Sequence, residues 1–454
     1  MKVFGSSGVR GVANESLTPE YVLDIARAVG SVWAADRVAV ARDTRTTGRM
    51  FADAAASGLT SVGADVDRLG IVPTPGLQAY CERAGVPGLM ITASHNPPAY
   101  NGVKLIGADG VELTRGTLDR VEQRLHGEDF AVATWDRVGE QRRVEDVRQH
   151  YVDQLLAAVD RAAVADADLT VALDPGHGAG ALTSPRLFRE LGCEVVTVNA
   201  QPDGHFPGRN PEPIAANLAD LGRLVRAADA DVGIAHDGDA DRAIFFDERG
   251  EYVEGDAALA ALAAAELGPG DVAVSAVNVS QRLVDVVEAA GAELSLTAIG
   301  STNIITRIRE LRERGETVPI AGEGNGGIIF PGYRLARDGA YTAARFLELI
   351  AERPASEVIA PYDDYRLVRT DVGYDSEAER QALLAAVERF AESATADLDT
   401  TDGYRLDYGD GWVLARPSGT EPVVRIYAES ADPDRAAELA DRMYEAVAGT
   451  DGDA

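Results

Sequence analysis

Short apolar runs, such as residues 88–91 and 232–235, alternate along most of the chain with segments whose apolar residues recur every three or four positions. Short continuous runs are typical of buried strands, and the three-to-four spacing is typical of amphipathic helices. Thr18 is suited to cap a helix and Pro19 to occupy its first turn, so the periodic segment that follows predicts a helix. This alternation of strands and helices indicates βαβ units with parallel sheets.

The same rhythm predicts three α/β blocks, at residues 1–155, 156–253 and 254–361. The blocks are only weakly similar to one another, so an internal repeat is one interpretation of them. The remaining region, 362–454, differs, because two strand-like runs and two helical segments predict a smaller α+β unit there. A chain of 454 residues is too long for one ordinary core, which agrees with several domains. No low-complexity linker separates the blocks, so we expect them to pack tightly around a shared cleft.

The chain is strongly acidic, with a formal net charge of −31 at pH 7. This charge argues against nucleic acid as a partner, because nucleic-acid binding needs a basic face. Lys2 and Lys104 are the only lysines among 43 basic residues, and a surface so poor in lysine and rich in aspartate suggests adaptation to high salt. The two cysteines, Cys81 and Cys193, have no metal-ligand spacing and are expected to be buried core residues.

The chain starts without a signal-peptide pattern and contains no apolar run of 18 residues. We therefore expect a cytoplasmic protein that does not bind a membrane. A monomer and a homodimer are both compatible with the sequence.

Residues 92–104 carry the most informative polar segment of the chain. Ser94 and His95 follow an apolar run, which places a possible nucleophile at the carboxyl end of a strand, where open α/β sheets bind their ligands. Lys104 is a candidate acid or base, because lysine, unlike arginine, can lose its proton when its site lowers its pKa. The alternative is a polar turn without a catalytic role.

A second segment reads Asp237-Gly-Asp-Ala-Asp-Arg242. Three carboxylates that converge on one point suit Mg²⁺. An EF-hand would need glycine at the position of Arg242 and helices on both sides, whereas the flanking residues are strand-like, so we reject that interpretation. A solvated acidic turn remains an alternative in so acidic a protein.

Four further segments are rich in glycine or in hydrogen-bond donors. Residues 416–422, Arg-Pro-Ser-Gly-Thr-Glu-Pro, could bind phosphate or form a plain hairpin connection. Arg425 could face the same pocket or the strand surface. In the turn 322–327, Glu323 and Asn325 could hydrogen-bond to hydroxyls, but the segment alone favours a plain glycine-rich turn. Arg10 near the start, and the loop 42–45, could approach a phosphoryl group or have only structural roles.

Taken together and in this order, these segments resemble the α-D-phosphohexomutase family, and the resemblance covers essentially the whole chain. It implies an α/β fold class, with three related α/β domains of parallel-type mixed sheets and a smaller α+β C-terminal domain around a central cleft. The implied catalytic residues are Ser94 as the phosphorylated serine, Lys104, Arg10 and His95. The implied ligands of Mg²⁺ are Asp237, Asp239, Asp241 and the phosphorylated Ser94. The implied substrate contacts are Glu323, Asn325 and Arg242. The implied phosphate-binding residues are Arg416, Ser418, Gly419, Thr420 and Arg425.

The resemblance also implies an activity, the interconversion of hexose 6-phosphate and hexose 1-phosphate through the phosphoserine. A sugar phosphate would be the substrate, and hexose 1,6-bisphosphate would be the intermediate and the activator. In many bacterial members the sugar loop reads Glu-x-Ser-Gly-His, whereas Asn325 and Gly327 stand here in place of the serine and the histidine. This form is similar to the archaeal phosphoglucosamine mutase branch. Phosphoglucosamine mutase is therefore the expected function. The alternatives are a phosphomannomutase/phosphoglucomutase of broad specificity, a phosphatase with Asp237 as nucleophile, and a sugar-phosphate binding protein without turnover.

Overall fold

The computed structural model describes residues 4–5, 8–418 and 422–449. Six strands form the first sheet. They are β1 (Val9–Val12), β2 (Arg37–Arg42), β3 (Asp65–Ile71), β4 (Gly88–Ile91), β5 (Tyr100–Ile106) and β6 (Gln141–Arg143). Their order is β1-β5-β4-β2-β3-β6. The helices of this region are α1 (Pro19–Trp33), α2 (Gly48–Ser61), α3 (Thr74–Ala84), α4 (Arg115–His126) and α5 (Val147–Ala157).

Helix α1 begins where the sequence predicted. Thr18 is its N-cap, and the Thr18 hydroxyl accepts a hydrogen bond from Tyr21 N at 3.3 Å. Such a bond satisfies one of the main-chain N–H groups that lack a partner at the start of every helix. The apolar face of the helix, including Val22, Ile25 and Val29, is fully buried.

Two five-stranded sheets follow. The second sheet contains β7 (Thr170–Asp174), β8 (Glu194–Thr197), β9 (Val232–Ala235), β10 (Ile244–Phe246) and β11 (Tyr252–Val253). The third contains β12 (Val272–Ala276), β13 (Glu293–Thr297), β14 (Ala321–Glu323), β15 (Gly327–Phe330) and β16 (Arg334–Arg337). Their helices are α6 (Arg161–Asp166), α7 (Ser184–Glu190), α8 (Ala219–Ala228), α9 (Gly255–Glu266), α10 (Gln281–Ala290), α11 (Ser301–Glu313), α12 (Gly339–Leu349) and α13 (Ala355–Ile359).

The first three sheets share one strand order. In each, the first parallel strand lies between the second and the third, which gives β3-β2-β4, β8-β7-β9 and β13-β12-β14. An antiparallel strand then pairs with the third, namely β5, β10 or β15. The sheets are therefore mixed, and the internal repeat that the sequence suggested is present in the topology. The turns β4–β5, β9–β10 and β14–β15 are equivalent, and they carry the serine, aspartate and glycine-rich segments.

The fourth sheet is antiparallel throughout. Its strands are β17 (Arg366–Gly373), β18 (Asp397–Asp399), β19 (Tyr404–Asp407), β20 (Trp412–Pro417) and β21 (Val423–Ser430), in the order β17-β21-β20-β19-β18. Helices α14 (Glu377–Ser393) and α15 (Pro433–Ala448) pack against it and complete the predicted α+β unit. Trp412 and Tyr427 join an apolar cluster with Val277 of the third sheet region, so the fourth unit packs directly on the third.

Cys81 and Cys193 are buried free thiols, as predicted. No helix among the described residues is long and apolar enough to cross a membrane.

Candidate active site

Ser94 lies in the turn between β4 and β5, and its side chain is inaccessible to solvent. Its backbone has a φ of 51°, a left-handed conformation that a non-glycine residue keeps only when its surroundings hold it there. The Ser94 main-chain N–H donates to Thr92 Oγ1 at 2.9 Å, and the Thr92 hydroxyl in turn donates to Asp43 Oδ2 at 2.7 Å. The serine is therefore fixed by a chain of buried hydrogen bonds.

Arg45 supports the same turn through hydrogen bonds to its main chain. Its guanidinium is inaccessible to solvent and is paired with Asp43 at 3.1 Å. It donates to four main-chain oxygens at 2.7–2.9 Å, those of Ser94, Asn96, Pro97 and Tyr100. Because the guanidinium is occupied by these partners, the loop 42–45 is a scaffold of the serine turn and does not present Arg45 to a ligand.

The aspartate segment forms the turn between β9 and β10. Asp237, Asp239 and Asp241 are each at most 1% exposed, so the interpretation as a solvated acidic turn is wrong. The flanking elements are strands, which confirms that the segment is not an EF-hand. Glu248, which would be the last EF-hand ligand, is instead hydrogen-bonded to Ser356.

The three aspartates are arranged as cation ligands would be. One carboxylate oxygen from each lies within 4.8 Å of the others. Asp239 Oδ1 and Asp241 Oδ1 are buried and have no hydrogen-bond partner within the described part of the chain. Burial, together with the two neighbouring carboxylates, raises the pKa of Asp237 to about 7. Unpartnered oxygens and unfavourable negative charge are what a hard divalent cation such as Mg²⁺ would relieve, so this site fits that ion.

The serine and aspartate turns meet directly. Ser94 Oγ donates to Asp237 Oδ2 at 2.5 Å, and Thr74 Oγ1 donates to Asp239 Oδ2 at 2.5 Å. A Cβ atom at Gly238 would lie 2.6 Å from the Ser94 main-chain oxygen, so only glycine permits this approach. The two turns, 143 residues apart in sequence, therefore form one site.

Lys104 completes what we call the central cluster, which consists of Ser94, Asp237, Asp239, Asp241 and Lys104. Its ammonium donates to Asp239 Oδ2 at 2.7 Å and to Asp241 Oδ2 at 2.8 Å. Burial disfavours the charged form, but the two carboxylates outweigh it and raise the pKa of Lys104. Lys104 therefore does not meet the condition of a lowered pKa under which the sequence made it a candidate base, because both of its partners are carboxylates.

His95 and Arg10 lie beside the serine. His95 Nδ1 is 3.3 Å from Ser94 Oγ. Burial, and then the nearby Arg242 and Arg10, lower the pKa of His95 far below its usual range, so the ring is neutral. Arg10 Nη1 donates to Asn96 Oδ1 at 2.7 Å. Burial lowers the pKa of Arg10 to about 10, with Asp239 opposing that shift, and its Nε is buried without a partner among the described residues.

The glycine-rich turn of the third sheet borders the central cluster. Ala243 N donates to Gly326 O at 3.1 Å, which joins this turn to the end of the aspartate segment. Glu323 is 6% exposed, and Asn325 Oδ1 accepts a hydrogen bond from Gly327 N at 3.0 Å. Arg242 N donates to Asp237 Oδ1 at 3.3 Å, and its side chain extends beside Asp241. These predicted substrate contacts therefore line one edge of the cluster.

The fourth unit contributes a separate cationic patch. Arg416 and Arg425 are directly opposite each other on β20 and β21, so their side chains share one face of the sheet. Arg416 Nη2 pairs with Asp402 Oδ2 at 3.1 Å, and the same oxygen accepts a hydrogen bond from Ile299 N of the third unit. Ser418 N donates to Val423 O at 2.8 Å. Gly419 and Thr420, which were predicted to bind phosphate, lie outside the described residues.

Two polar contacts of the cluster were not predicted from the sequence. Arg337, at the end of β16, donates to Asp241 Oδ2 at 2.7 Å, and Thr74, at the start of α3, donates to Asp239. Arg337 is followed by Asp338, whose side chain caps helix α12, and this cap was the only local sequence signal near it. No short motif surrounds Thr74 that would have indicated its role.

Comparison with known proteins agrees with this arrangement. Models of the phosphoglucomutase/phosphomannomutase family match four consecutive regions, α/β/α domain I at residues 1–132, domain II at 149–250, domain III at 254–365 and the C-terminal domain at 373–446. A phosphoglucomutase/phosphomannomutase of Thermococcus kodakarensis is 43% identical over 447 residues, which cover 96% of each chain. A Methanopyrus kandleri protein described as "Probable phosphoglucosamine mutase" is 42% identical over 452 residues, which cover 98% of each chain.

A solved structure gives the same result for the fold. The crystal structure of a phosphoglucomutase/phosphomannomutase family protein from Burkholderia thailandensis superposes with a TM-score of 0.83 at 28% identity, covering 100% of this chain and 98% of that one. Sequence, topology and site geometry thus agree, and the chain belongs to the phosphoglucomutase/phosphomannomutase family of the α-D-phosphohexomutase superfamily, whose members are isomerases.

Proposed function

We propose that this protein interconverts hexose 6-phosphates and hexose 1-phosphates through a phosphoserine at position 94, and that glucosamine phosphate is its preferred substrate. The observation that carries the proposal is the buried Ser94 hydroxyl, held at 2.5 Å from Asp237 and bordered by cationic side chains. A hydroxyl placed among carboxylates that can hold a cation suits phosphoryl transfer, in which positioning and charge stabilisation do most of the work.

The two half-reactions balance. Phosphoserine 94 gives its phosphoryl group to the O6 hydroxyl of a hexose 1-phosphate, so a P–Oγ bond breaks and a P–O6 bond forms. The sugar hydroxyl loses a proton and the serine oxygen gains one. The resulting hexose 1,6-bisphosphate turns over in the cleft and returns its 1-phosphoryl group to Ser94 by the reverse exchange. No phosphate or proton is consumed, and a trace of the bisphosphate is needed only to phosphorylate Ser94.

Residues of the central cluster divide this work. Asp237, Asp239 and Asp241 would hold Mg²⁺, which when bound supplies positive charge for the transferring phosphoryl oxygens. Lys104 is an ammonium in this site, so it is suited to donate a proton to Ser94 Oγ and to take one back from the sugar hydroxyl. His95 is neutral and a weak base, so we assign it the orientation of the serine hydroxyl.

The glycine-rich turn would bind the sugar, and the fourth unit would bind the phosphate that does not react. Glu323 and Asn325 would accept and donate hydrogen bonds to sugar hydroxyls. Arg416 and Arg425, with Ser418, Gly419 and Thr420, would bind the distal phosphate, for which arginine provides paired donors. Arg242 would contact the substrate from the aspartate turn.

The proposal is tested by mutase turnover with Mg²⁺, high salt and a trace of hexose 1,6-bisphosphate. The kcat/KM values of glucosamine, glucose and mannose 1-phosphates should be compared. A lead of tenfold or more for glucosamine 1-phosphate would support the proposed preference and would agree with the description of the Methanopyrus kandleri relative as a phosphoglucosamine mutase. Similar values for all three would favour the broad specificity that the name of the Thermococcus kodakarensis relative suggests. Release of inorganic phosphate without isomerisation would favour the phosphatase alternative, and binding without either product would favour a binding protein.

A further inference from the structure

Arg337 holds a position that the proposed reaction does not yet explain. It ends β16, and its guanidinium is 6% exposed. Its Nη2 donates to Asp241 Oδ2 at 2.7 Å, the same oxygen that Lys104 approaches at 2.8 Å. Burial disfavours its charge, but Asp241 and two glutamates, Glu112 and Glu323, outweigh burial and raise the pKa of Arg337. A permanent cation therefore lies between the aspartate turn and the glycine-rich turn.

The side chain of Arg337 occupies space next to Gly327. A Cβ atom built at Gly327 would lie 2.7 Å from Arg337 Cδ and 3.4 Å from Arg337 Nη1. Gly327 does not have a positive φ, so its backbone conformation would permit a side chain. A side chain at position 327 would first meet the stem of Arg337 and then Asn325 Oδ1, which would lie 3.0 Å from the Cβ atom. Gly327 has no side chain, and the stem of Arg337 lies in the space that a side chain would need. We call these two residues the matched pair.

Most of the Arg337 guanidinium is available to a ligand. Its hydrogen bond to Asp241 uses one nitrogen, and Nε and Nη1 have no hydrogen-bond partner among the described residues. Two further guanidiniums, those of Arg10 and Arg242, face the same place, and each has a buried Nε that makes no hydrogen bond to a described residue. Mutual repulsion of the three cations contributes to the lowered pKa of Arg10, although burial is its larger cause. Buried cations with unused donors are stabilised when an anion binds between them.

We propose that Arg337, whose stem fills the space that Gly327 leaves open, is a substrate-binding residue that contacts the phosphoryl group at Ser94 or the sugar phosphate facing it. This inference rests on the proposed mutase function and adds a residue to its substrate site. Arg337 holds that anion from the side of the glycine-rich turn. Because it also touches Asp241, it fixes the anion relative to the aspartates.

The direct test is ligand binding without metal. In EDTA, glucose 6-phosphate should bind to Arg337→Ala at least about tenfold more weakly than to the unchanged protein, because one charge-assisted contact is lost. Arg337→Lys should recover part of the affinity. Arg49→Ala, which removes an exposed arginine of α2, is the matched control and should bind normally. Unchanged affinity in Arg337→Ala would overturn the proposal.

A purely structural role would produce a different pattern. If Arg337 served only to orient Asp241, its loss would raise the Mg²⁺ concentration needed for half-maximal activity and leave metal-free binding intact. We expect instead that kcat/KM falls by about 10²-fold while the Mg²⁺ requirement changes little. If the unchanged protein turns over no hexose phosphate, the mutase proposal fails, yet the metal-free binding experiment still decides the role of Arg337.

The matched pair supplies a second, independent test. Gly327→His should impair activity because the imidazole would clash with the stem of Arg337. Combined with Arg337→Ala, the same histidine should fit and provide a new donor, so that the double variant is more active than Gly327→His alone. Losses that simply add would show that the two residues do not share one space.

Discussion

Ser94, Lys104 and Asp239 of the central cluster are at most 2% exposed, whereas in the fourth unit the side chain of Arg416 is 14% exposed. Each member of the central cluster is held by side chains from another turn or sheet. Arg416 is held by Asp402, an exchangeable carboxylate that a phosphate could replace. In the proposed function, the groups that carry out the chemical step are preorganised, whereas Arg416 would exchange Asp402 for the distal phosphate when the ligand binds. Changes in the first region should therefore act on kcat, and changes in the second on KM.

The largest effect is expected from Ser94→Ala. Without the Oγ nucleophile, mutase turnover should fall by at least about 10⁴-fold, measured by the isomerisation of glucosamine 1-phosphate. Ser57→Ala, a serine exposed on α2, is the control and should retain full turnover. Substantial turnover in Ser94→Ala would mean that another group carries the phosphoryl group.

Asp239→Asn should come next. It removes one proposed ligand of Mg²⁺ and a partner of Lys104, so kcat should fall by about 10²–10³-fold, and the Mg²⁺ concentration for half-maximal activity should rise. A titration of activity with MgCl₂ measures both. Asp36→Asn, an exposed position, should leave both values unchanged. Normal Mg²⁺ dependence in Asp239→Asn would contradict the assignment of this cluster as the metal site.

Arg416→Gln tests the other half of the comparison. Losing one charge-assisted contact to phosphate should raise KM by about 10–100-fold and change kcat much less. Steady-state kinetics separate the two constants, and Arg366→Gln, an exposed arginine of the same sheet, is the matched control. A large loss of kcat with an unchanged KM would show that Arg416 acts on the chemical step and that the two regions do not divide their roles.

The smallest of the expected effects is that of salt, which should act on the thermal stability of the whole chain and least on the central cluster. Because self-repulsion of a net charge of −31 is screened at high ionic strength, raising KCl from 0.1 M to 2 M should raise Tm by at least about 5 °C, measured by calorimetry. The protein in sucrose at low salt is the control for non-ionic stabilisation. A falling Tm would contradict the interpretation of the surface as adapted to salt.

Sequence patterns predicted the parts of this molecule that depend on local signals. The predicted strands Gly88–Ile91 and Val232–Ala235 begin and end where the structure has them, because each is a short continuous apolar run. The cap at Thr18 was also predicted from a local signal, because Thr18 directly precedes Pro19 at the start of the helix. Ser94 and the aspartates stood out because unusual residues cluster within a few positions.

What the sequence did not predict depends on distant contacts. The pKa of Lys104 is set by carboxylates 135 and 137 residues away, so its direction could not be read from residues 92–104. Arg45 and Arg337 are single arginines without a motif, and only the folded chain shows that one supports the serine turn and the other reaches Asp241. A buried charge takes its role from its partners, and those partners come from other sheets.

The central claim is that Ser94 carries the phosphoryl group, and peptide mass spectrometry tests it most directly. The protein should be incubated with glucose 1,6-bisphosphate and Mg²⁺, digested and analysed. We predict one added phosphoryl group on the peptide that contains Ser94. When the bisphosphate carries isotope-labelled phosphoryl groups, excess unlabelled hexose 1-phosphate should then replace the labelled group on Ser94 with an unlabelled one, because each turnover returns a phosphoryl group to the serine. Phosphorylation at another residue, or a labelled phosphoryl group on Ser94 that hexose 1-phosphate cannot replace, would contradict the account.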